Sequence, residues 1–277
     1  MKNWKHVTVV IISLLMALVY SGFYTVNNDI FNSPDETSQV YFIERLSHGE
    51  ALATPINSAT QASAYIVPRS VRMVGDTLVP ASFLGLIAIY GSIAAVISMQ
   101  GLFLVTGFIS IMGLYAYYKI VTHVWGDTVG LYSALLAMFF PGWWYYSSLA
   151  FFPNVVLTSL VLWSIYSYLL YKDRQSFLFA TTSGITFALA GLVRLAALPW
   201  VGAIWLALFI LDLTRRGRSF LPFYYIWISM AMLFLIVPLV LVQGSLYGGV
   251  AETGYILTPS TESSVITKLF PGGFHPR

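Results

Sequence analysis

The stretch 83-FLGLIAIYGSIAAVIS-98 decides how this chain is threaded. It is apolar and uncharged, and its own residues leave open whether it crosses the membrane. Gly85 and Gly91 inside it and Pro80 just before it allow bends. Around it lie seven clearer apolar segments, at roughly 7–26, 101–118, 128–147, 154–171, 176–193, 195–213 and 221–243. No Asp, Glu, Lys, Arg or His falls deep inside any of them; Asp212 sits at an end. A charge at mid-bilayer costs about 2.5–3.5 kcal/mol on insertion scales, so the pattern is that of plain membrane spans.

Charge parity settles the reading of 83–98. If it does not cross, Lys2, Lys5, Lys119, Lys172, Arg174, Arg215, Arg216 and Arg218 all face one compartment. The positive-inside rule makes that side the cytoplasm. If it crosses, the last six move outside while Lys2 and Lys5 stay in. The first arrangement is much the better. The stretch is therefore expected as a juxtamembrane or re-entrant element on the outer side, where non-spanning backbone survives if packed in protein. The expected fold is an all-α integral membrane bundle of about seven helices, N-terminus cytoplasmic, with a long first outer loop, 27–100, carrying juxtamembrane helices.

Composition agrees. The chain is 58% hydrophobic and 9% charged, against about a quarter charged in soluble domains. Mean hydropathy is +0.77. The chain has no cysteine, which excludes disulfides, thiolate catalysis and Cys-based zinc sites. The net charge of +3 is scattered and gives no nucleic-acid footprint. Lys2 and Lys5 before Val7–Val26 resemble a signal peptide, but the run is long enough to span and no small-x-small site follows it. It reads as a retained anchor. Trp143-Trp144-Tyr145-Tyr146 falls at the outer end of the third segment, an ordinary interfacial position. Residues 1–243 are expected as one membrane module. The Gly/Ser/Thr-rich 244–277 is expected as an outer segment, either the start of a further region or an exposed end.

The polar chemistry gathers after the first span. Ser33-Pro34-Asp35-Glu36 opens a helix expected from Pro34 to about His48. Ser33 suits the N-cap, Pro34 the first turn, Glu36 a capping box and Gly49 the residue past the end. Val40, Ile43 and Leu46, with Phe42 near them, form an apolar face that can lie on the membrane surface. Locally, Asp35 and Glu36 need be no more than helix-dipole partners. Together with Asp29, however, they are outer acids held close to the bilayer, and a carboxylate there can take a proton from a hydroxyl. Chemistry on a phosphate-bearing lipid also needs a cation. Arg194, in Gly191-Leu192-Val193-Arg194-Leu195 at the turn between the fifth and sixth segments, is the best placed; otherwise it snorkels at a span end. Arg69 and Arg72 are further candidates. The four histidines lack metal-ligand spacing; His48 and His275 read as outer surface residues. Only Asp29, Asp35 and Glu36 offer oxygens to a divalent metal, and no metal site is assigned.

This combination resembles the GT-C superfamily of membrane glycosyltransferases, especially the family 39-like branch that uses polyprenyl-phosphate sugars. The resemblance rests on the anchor, Ser33-Pro34-Asp35-Glu36 opening an outer helix, and the Pro80 to Gly91 segment before span two. It rests also on Pro141 closing span three, Pro153-Asn154 opening span four, and Gly191-Leu192-Val193-Arg194 at an outer turn. It covers about residues 5–243. It implies an inverting transfer of a sugar from a polyprenyl phosphate to an acceptor glycan, lipid or protein on the outer face of a prokaryotic plasma membrane. It implies Asp35 as general base, Glu36 orienting or binding the acceptor, Arg194 on the leaving phosphate, and a groove for the lipid tail. The chain departs from that pattern in having Asn154 where an acid often opens span four. Two other readings are a transporter or flippase of lipid-linked substrates and a non-catalytic membrane subunit. A transporter predicts broken helices, inverted repeats or mid-membrane polar residues, none of which is clear in the sequence.

Overall fold

The computed structural model describes residues 4–25, 33–55, 70–81, 83–216 and 221–249. Asp29, Arg69 and the segment 250–277 lie outside them. The structure is mainly helical. α1 (Trp4–Thr25) is followed by α2 (Pro34–Ser47) and three short strands, β1 (Thr54–Pro55), β2 (Val71–Val74) and β3 (Thr77–Pro80). Then come α3 (Leu84–Trp125), α4 (Asp127–Met138), α5 (Pro141–Ser148), α6 (Pro153–Arg174) and α7 (Phe177–Val193). A 3-10 turn, Leu195–Ala197, leads into α8 (Leu198–Arg216), and α9 (Leu221–Tyr247) follows. Leu104–Trp125 and Pro153–Arg174, at 22 residues each, are long and apolar enough to cross a bilayer. Leu18, Leu136, Trp200 and Phe234 are among many large apolar side chains left exposed. So apolar an outer surface suits lipid rather than water.

The long helices run back and forth between two ends of the bundle. At one end Lys5, Lys119, Lys172 and Arg174 collect. Lys5 Nζ donates to Thr128 Oγ1 at 2.7 Å, Lys119 lies 3.5 Å from His6, and His123 lies 3.6 Å from Asp173. Lys172 and Arg174 close α6 at the same end. The other end carries the starts of α3 and α6 and the ends of α7 and α9. Val79, Leu84, Leu192, Leu239 and Tyr247 pack there as one cluster. Between the ends, α6 and α7 are stapled by Ser164 and Ser183, each hydroxyl donating to the other's carbonyl at 2.8 and 3.0 Å. Small polar residues of this kind hold helices together where lipid supplies no hydrophobic drive.

The segment 83–98 forms the first arm of α3. The helix breaks at Ser98, whose φ of 71° and ψ of 164° are non-helical and belong to a region used almost only by glycine. The arms fold toward each other about this point. Tyr90 and Thr106, equally far on either side of it, share a hydrogen bond of 2.6 Å between their hydroxyls. Thr106 in turn donates to the Ala150 carbonyl. Burial raises the Tyr90 pKa, so the hydroxyl keeps its proton.

α2 forms as its local sequence requires. Ser33 is extended and its hydroxyl accepts from the Asp35 amide at 3.2 Å; Pro34 is the first helical residue. Gly49 follows the helix at φ 73°, the left-handed geometry of a C-terminal glycine. The apolar face, however, packs on protein rather than lying on lipid. Phe42 and Ile43 are fully buried against Leu86, Ile87 and Tyr90 of the first arm of α3. Each such side chain contributes about 1.5–3 kcal/mol by burial.

Other expectations require correction. The first loop is not wholly helical, since β1, β3 and β2 form an antiparallel sheet in that order. The third segment, 128–147, is two helices. Pro141 opens α5 rather than closing a span, because a proline ring fits a first turn but blocks the hydrogen bond a continuing helix needs. The breaks at Ser98 and between α4 and α5 are broken-helix features that the sequence did not reveal. Trp143 of the aromatic cluster turns inward to Ser110, donating at 2.8 Å, while Trp144 and Tyr145 are exposed. α9 runs to Tyr247.

Candidate functional site

Asp35 occupies the second helical position of α2. Ser70, just before β2, donates its hydroxyl to Asp35 Oδ1. Ser70 is itself held at two points, its carbonyl accepting from the Ser38 hydroxyl at 3.0 Å and from the Ala81 amide at 2.9 Å. The carboxylate is thus aimed by a residue fixed to both α2 and the end of β3. Glu36 and Gln39, on the inward face of the same helix, are 0% and 2% exposed.

Arg194 leaves the end of α7 in extended conformation, φ −146° and ψ 96°. Its Nη1 donates to Asn154 Oδ1 at 3.1 Å, and its guanidinium carbon lies 6.0 Å from the centre of the Phe83 ring. Phe83 has a left-handed backbone, φ 59°, which turns the chain from β3 into α3. Gly85 makes the close approach possible: a Cβ there would run into the Leu192 carbonyl. Asn154 lies in the first turn of α6, which has Phe152 as its N-cap residue and no side-chain cap. The amides of that turn leave the positive end of the α6 dipole beside Arg194.

Arg72, on β2, stacks its guanidinium 5.9 Å from the Tyr247 ring centre. The Tyr247 hydroxyl donates to the Pro80 carbonyl at 2.5 Å, tying the end of α9 to the sheet. The structure therefore brings Asp35, Arg72 and Arg194 to the same end of the bundle. Ser70 ties the acid to Ala81, two residues before Phe83 in sequence, and the Phe83 ring packs on Arg194, which Asn154 holds. Among the described residues, no group of three or more His, Asp or Glu is placed to hold a metal.

Sequence reading alone missed Ser70, Phe83 and Gln39. It singles out Asn154 at the opening of span four and as a departure from a pattern, without its partner. Ser70 and Asn154 act on partners 35 and 40 residues away, and no local periodicity carries such information.

Comparison with known proteins bears on the whole arrangement. Neither a curated protein nor a solved structure matches the chain. A family model, that of the Alg9-like mannosyltransferase family, matches residues 69–255. The match includes Arg72 and Arg194 and leaves out Asp35 and Glu36. It supports the GT-C superfamily through a different family from the 39-like branch that sequence resemblance suggested. More than half of the chain is covered, and the helical, lipid-suited bundle agrees with it: the chain belongs to the Alg9-like mannosyltransferase family and is a membrane glycosyltransferase.

Proposed function

We propose that this protein transfers a mannosyl residue from a polyprenyl phosphate to a hydroxyl of an acceptor glycan, lipid or protein, with inversion at the anomeric carbon. The observation that carries the reading is the aimed carboxylate of Asp35 at the same end of the bundle as Arg194, away from the basic end. By the positive-inside rule the basic end is cytoplasmic and the site faces outward, in a prokaryote at the plasma membrane. In this reading the bundle crosses seven times, as α1, the second arm of α3, α4 with α5, α6, α7, α8 and α9. The first arm of α3 stays on the outer side. Residues 1–243 form the catalytic membrane module, and 244–277 an outer segment.

Asp35 takes the proton of the acceptor hydroxyl as its oxygen attacks the anomeric carbon. The bond from that carbon to the phosphate oxygen breaks on the opposite face, and the electron pair leaves with the phosphate. The leaving group gains one negative charge. Arg194, held by Asn154 and the Phe83 ring and backed by the first turn of α6, meets that charge. Glu36 orients the acceptor, Arg72 and Arg69 assist at the headgroup, and Asp29 is a further candidate acid. Proton abstraction of this kind contributes typically about 10²–10⁴-fold.

A flippase of lipid-linked substrates is the rival reading, and the helix breaks at Ser98 and before Pro141 favour it. The Ser98 break, however, lies outside the spans in this topology, and the family is one of transferases. Transfer from radiolabelled polyprenyl-phosphate mannose decides the matter. Wild type is expected to label an acceptor and Asp35→Asn to fail. Equal turnover in both removes Asp35 as the base.

A further inference from the structure

Gln39 has no place in the mechanism above, and its environment is unusual. The residue is 2% exposed. Neither its amide nitrogen nor its amide oxygen has a hydrogen-bond partner among the described residues. A buried amide left unpaired destabilises the fold that contains it, whereas leucine or methionine in the same volume would not. Nothing about α2 itself asks for glutamine here. The next inward residues, Phe42 and Ile43, are apolar and fully buried.

The position of the residue says what the amide could serve. Gln39 comes one turn after Asp35 and three residues after Glu36, so all three lie along one side of α2. Side chains on a helix tilt toward its N-terminus, which leans Gln39 back over the turn bearing Asp35 and Glu36. That turn is the one fastened by Ser70, through both Asp35 and Ser38. An amide offers a donor and an acceptor side by side. Two adjacent sugar hydroxyls present the complementary pair. A carboxylate would supply acceptors alone, and a lysine donors alone.

We infer that Gln39 binds a pair of adjacent sugar hydroxyls in the site and sets which sugar is accepted. This rests on the reading of Asp35 as the base. The sugar belongs either to the lipid donor or to the acceptor glycan, and the chemistry of recognition is shared. Binding then pairs two atoms that find no partner among the described residues, so glutamine costs stability without ligand and gains affinity with it.

The test uses the full chain in lipid nanodiscs, with Gln39→Met and Gln39→Glu compared with wild type. The probes are polyprenyl-phosphate mannose and polyprenyl-phosphate glucose as donors and mannobiose as acceptor. Gln39→Met is expected to melt no lower than wild type. It is expected to lose about ten- to a hundredfold in kcat/KM and most of its preference between the two donors or between acceptors. Loss of donor-induced thermal stabilisation assigns the hydroxyls to the donor. Unchanged donor stabilisation with a raised KM for mannobiose assigns them to the acceptor. Should Gln39→Met fail to fold, Gln39→Glu carries the test, since it keeps the shape and replaces the amide donor. A folded variant with wild-type kcat/KM and wild-type preferences overturns the inference. If Asp35→Asn is inactive in the same assay, that failure leaves the base intact and concerns Gln39 alone. Full activity of Asp35→Asn overturns the underlying reading instead, and wild-type protein that transfers from neither donor overturns both.

Discussion

Arg194 and Asn154, 40 residues apart in sequence, meet at 3.1 Å where the end of α7 passes the start of α6. The asparagine fixes one edge of the guanidinium without neutralising its charge, which leaves the cation available to a phosphate. Arg194→Ala is expected to lower kcat/KM for the lipid donor by about 10²–10³-fold, the scale of removing one preorganised charge-stabilising donor. Arg194→Lys keeps the charge and loses the planar fork, and should recover only part of the rate. Asn154→Asp should weaken donor binding, because an ion pair would then compete for the arginine. Steady-state kinetics over a range of donor concentrations separates these effects.

Ser70 gives the Asp35 carboxylate its direction. Asp35→Asn is expected to lose about 10²–10⁴-fold in kcat. Ser70→Ala keeps the base but frees it, and should lose roughly tenfold in kcat with little change in KM, as misplacement does. An unchanged kcat in Ser70→Ala would mean that the hydrogen bond only fastens α2.

Gly85 lies against the Leu192 carbonyl, two residues before Arg194. Gly85→Val forces the start of α3 away from the end of α7. Overpacking of this sort costs about 1–3 kcal/mol. Both the melting temperature and donor affinity should fall, because Phe83 moves with Gly85 and Arg194 with Leu192. Gly85→Ala should show the same effects more weakly.

Ser98 holds φ 71° with a side chain that disfavours it. Ser98→Gly removes the clash and is expected to stabilise the protein by about 1 kcal/mol, visible as a higher melting temperature. Ser98→Val should do the opposite.

What the sequence disclosed followed its locality. Ser33, Pro34 and Gly49 bound α2 because capping depends on neighbours in sequence. The distinctness of 83–98 comes from charge parity along the chain, and the structure places a break at its last residue, Ser98. The cause of that break was not legible: serine does not end helices by itself, and the strain is maintained by tertiary contacts such as Tyr90 with Thr106. The hairpin of β2 and β3 has a local signal, since Gly75-Asp76 between Val71–Val74 and Thr77–Pro80 is a turn pair. Pro141 marks a helix boundary, but proline alone leaves open whether it is a stop or the start it proves to be. In the site, Asp35 and Arg194 drew notice as charges near lipid. Ser70 and Asn154 are neutral, and what ties them to Asp35 and Arg194 is a contact far along the chain; Gln39 is neutral too, and its amide has no partner among the described residues.

The break at Ser98 also makes the first arm of α3 a lever. Its outer half carries Phe83 and, through β3 and Ser70, the carboxylate of Asp35, while its fulcrum is a single residue. An arm of 14 residues, Leu84 to Ile97, is about 21 Å long, so a swing of roughly 5° would move its tip by nearly 2 Å. A misplacement of about 1 Å can cost a catalyst a hundredfold. In the proposed mechanism the aim of the Asp35 carboxylate therefore depends on how firmly the arm is clamped, and the clamps include Phe42 and Ile43 of α2 along its side, Tyr90 on Thr106 near mid-arm and Gly85 on Leu192 at the tip. Loosening any of these should detune the proposed chemistry without touching a reacting group.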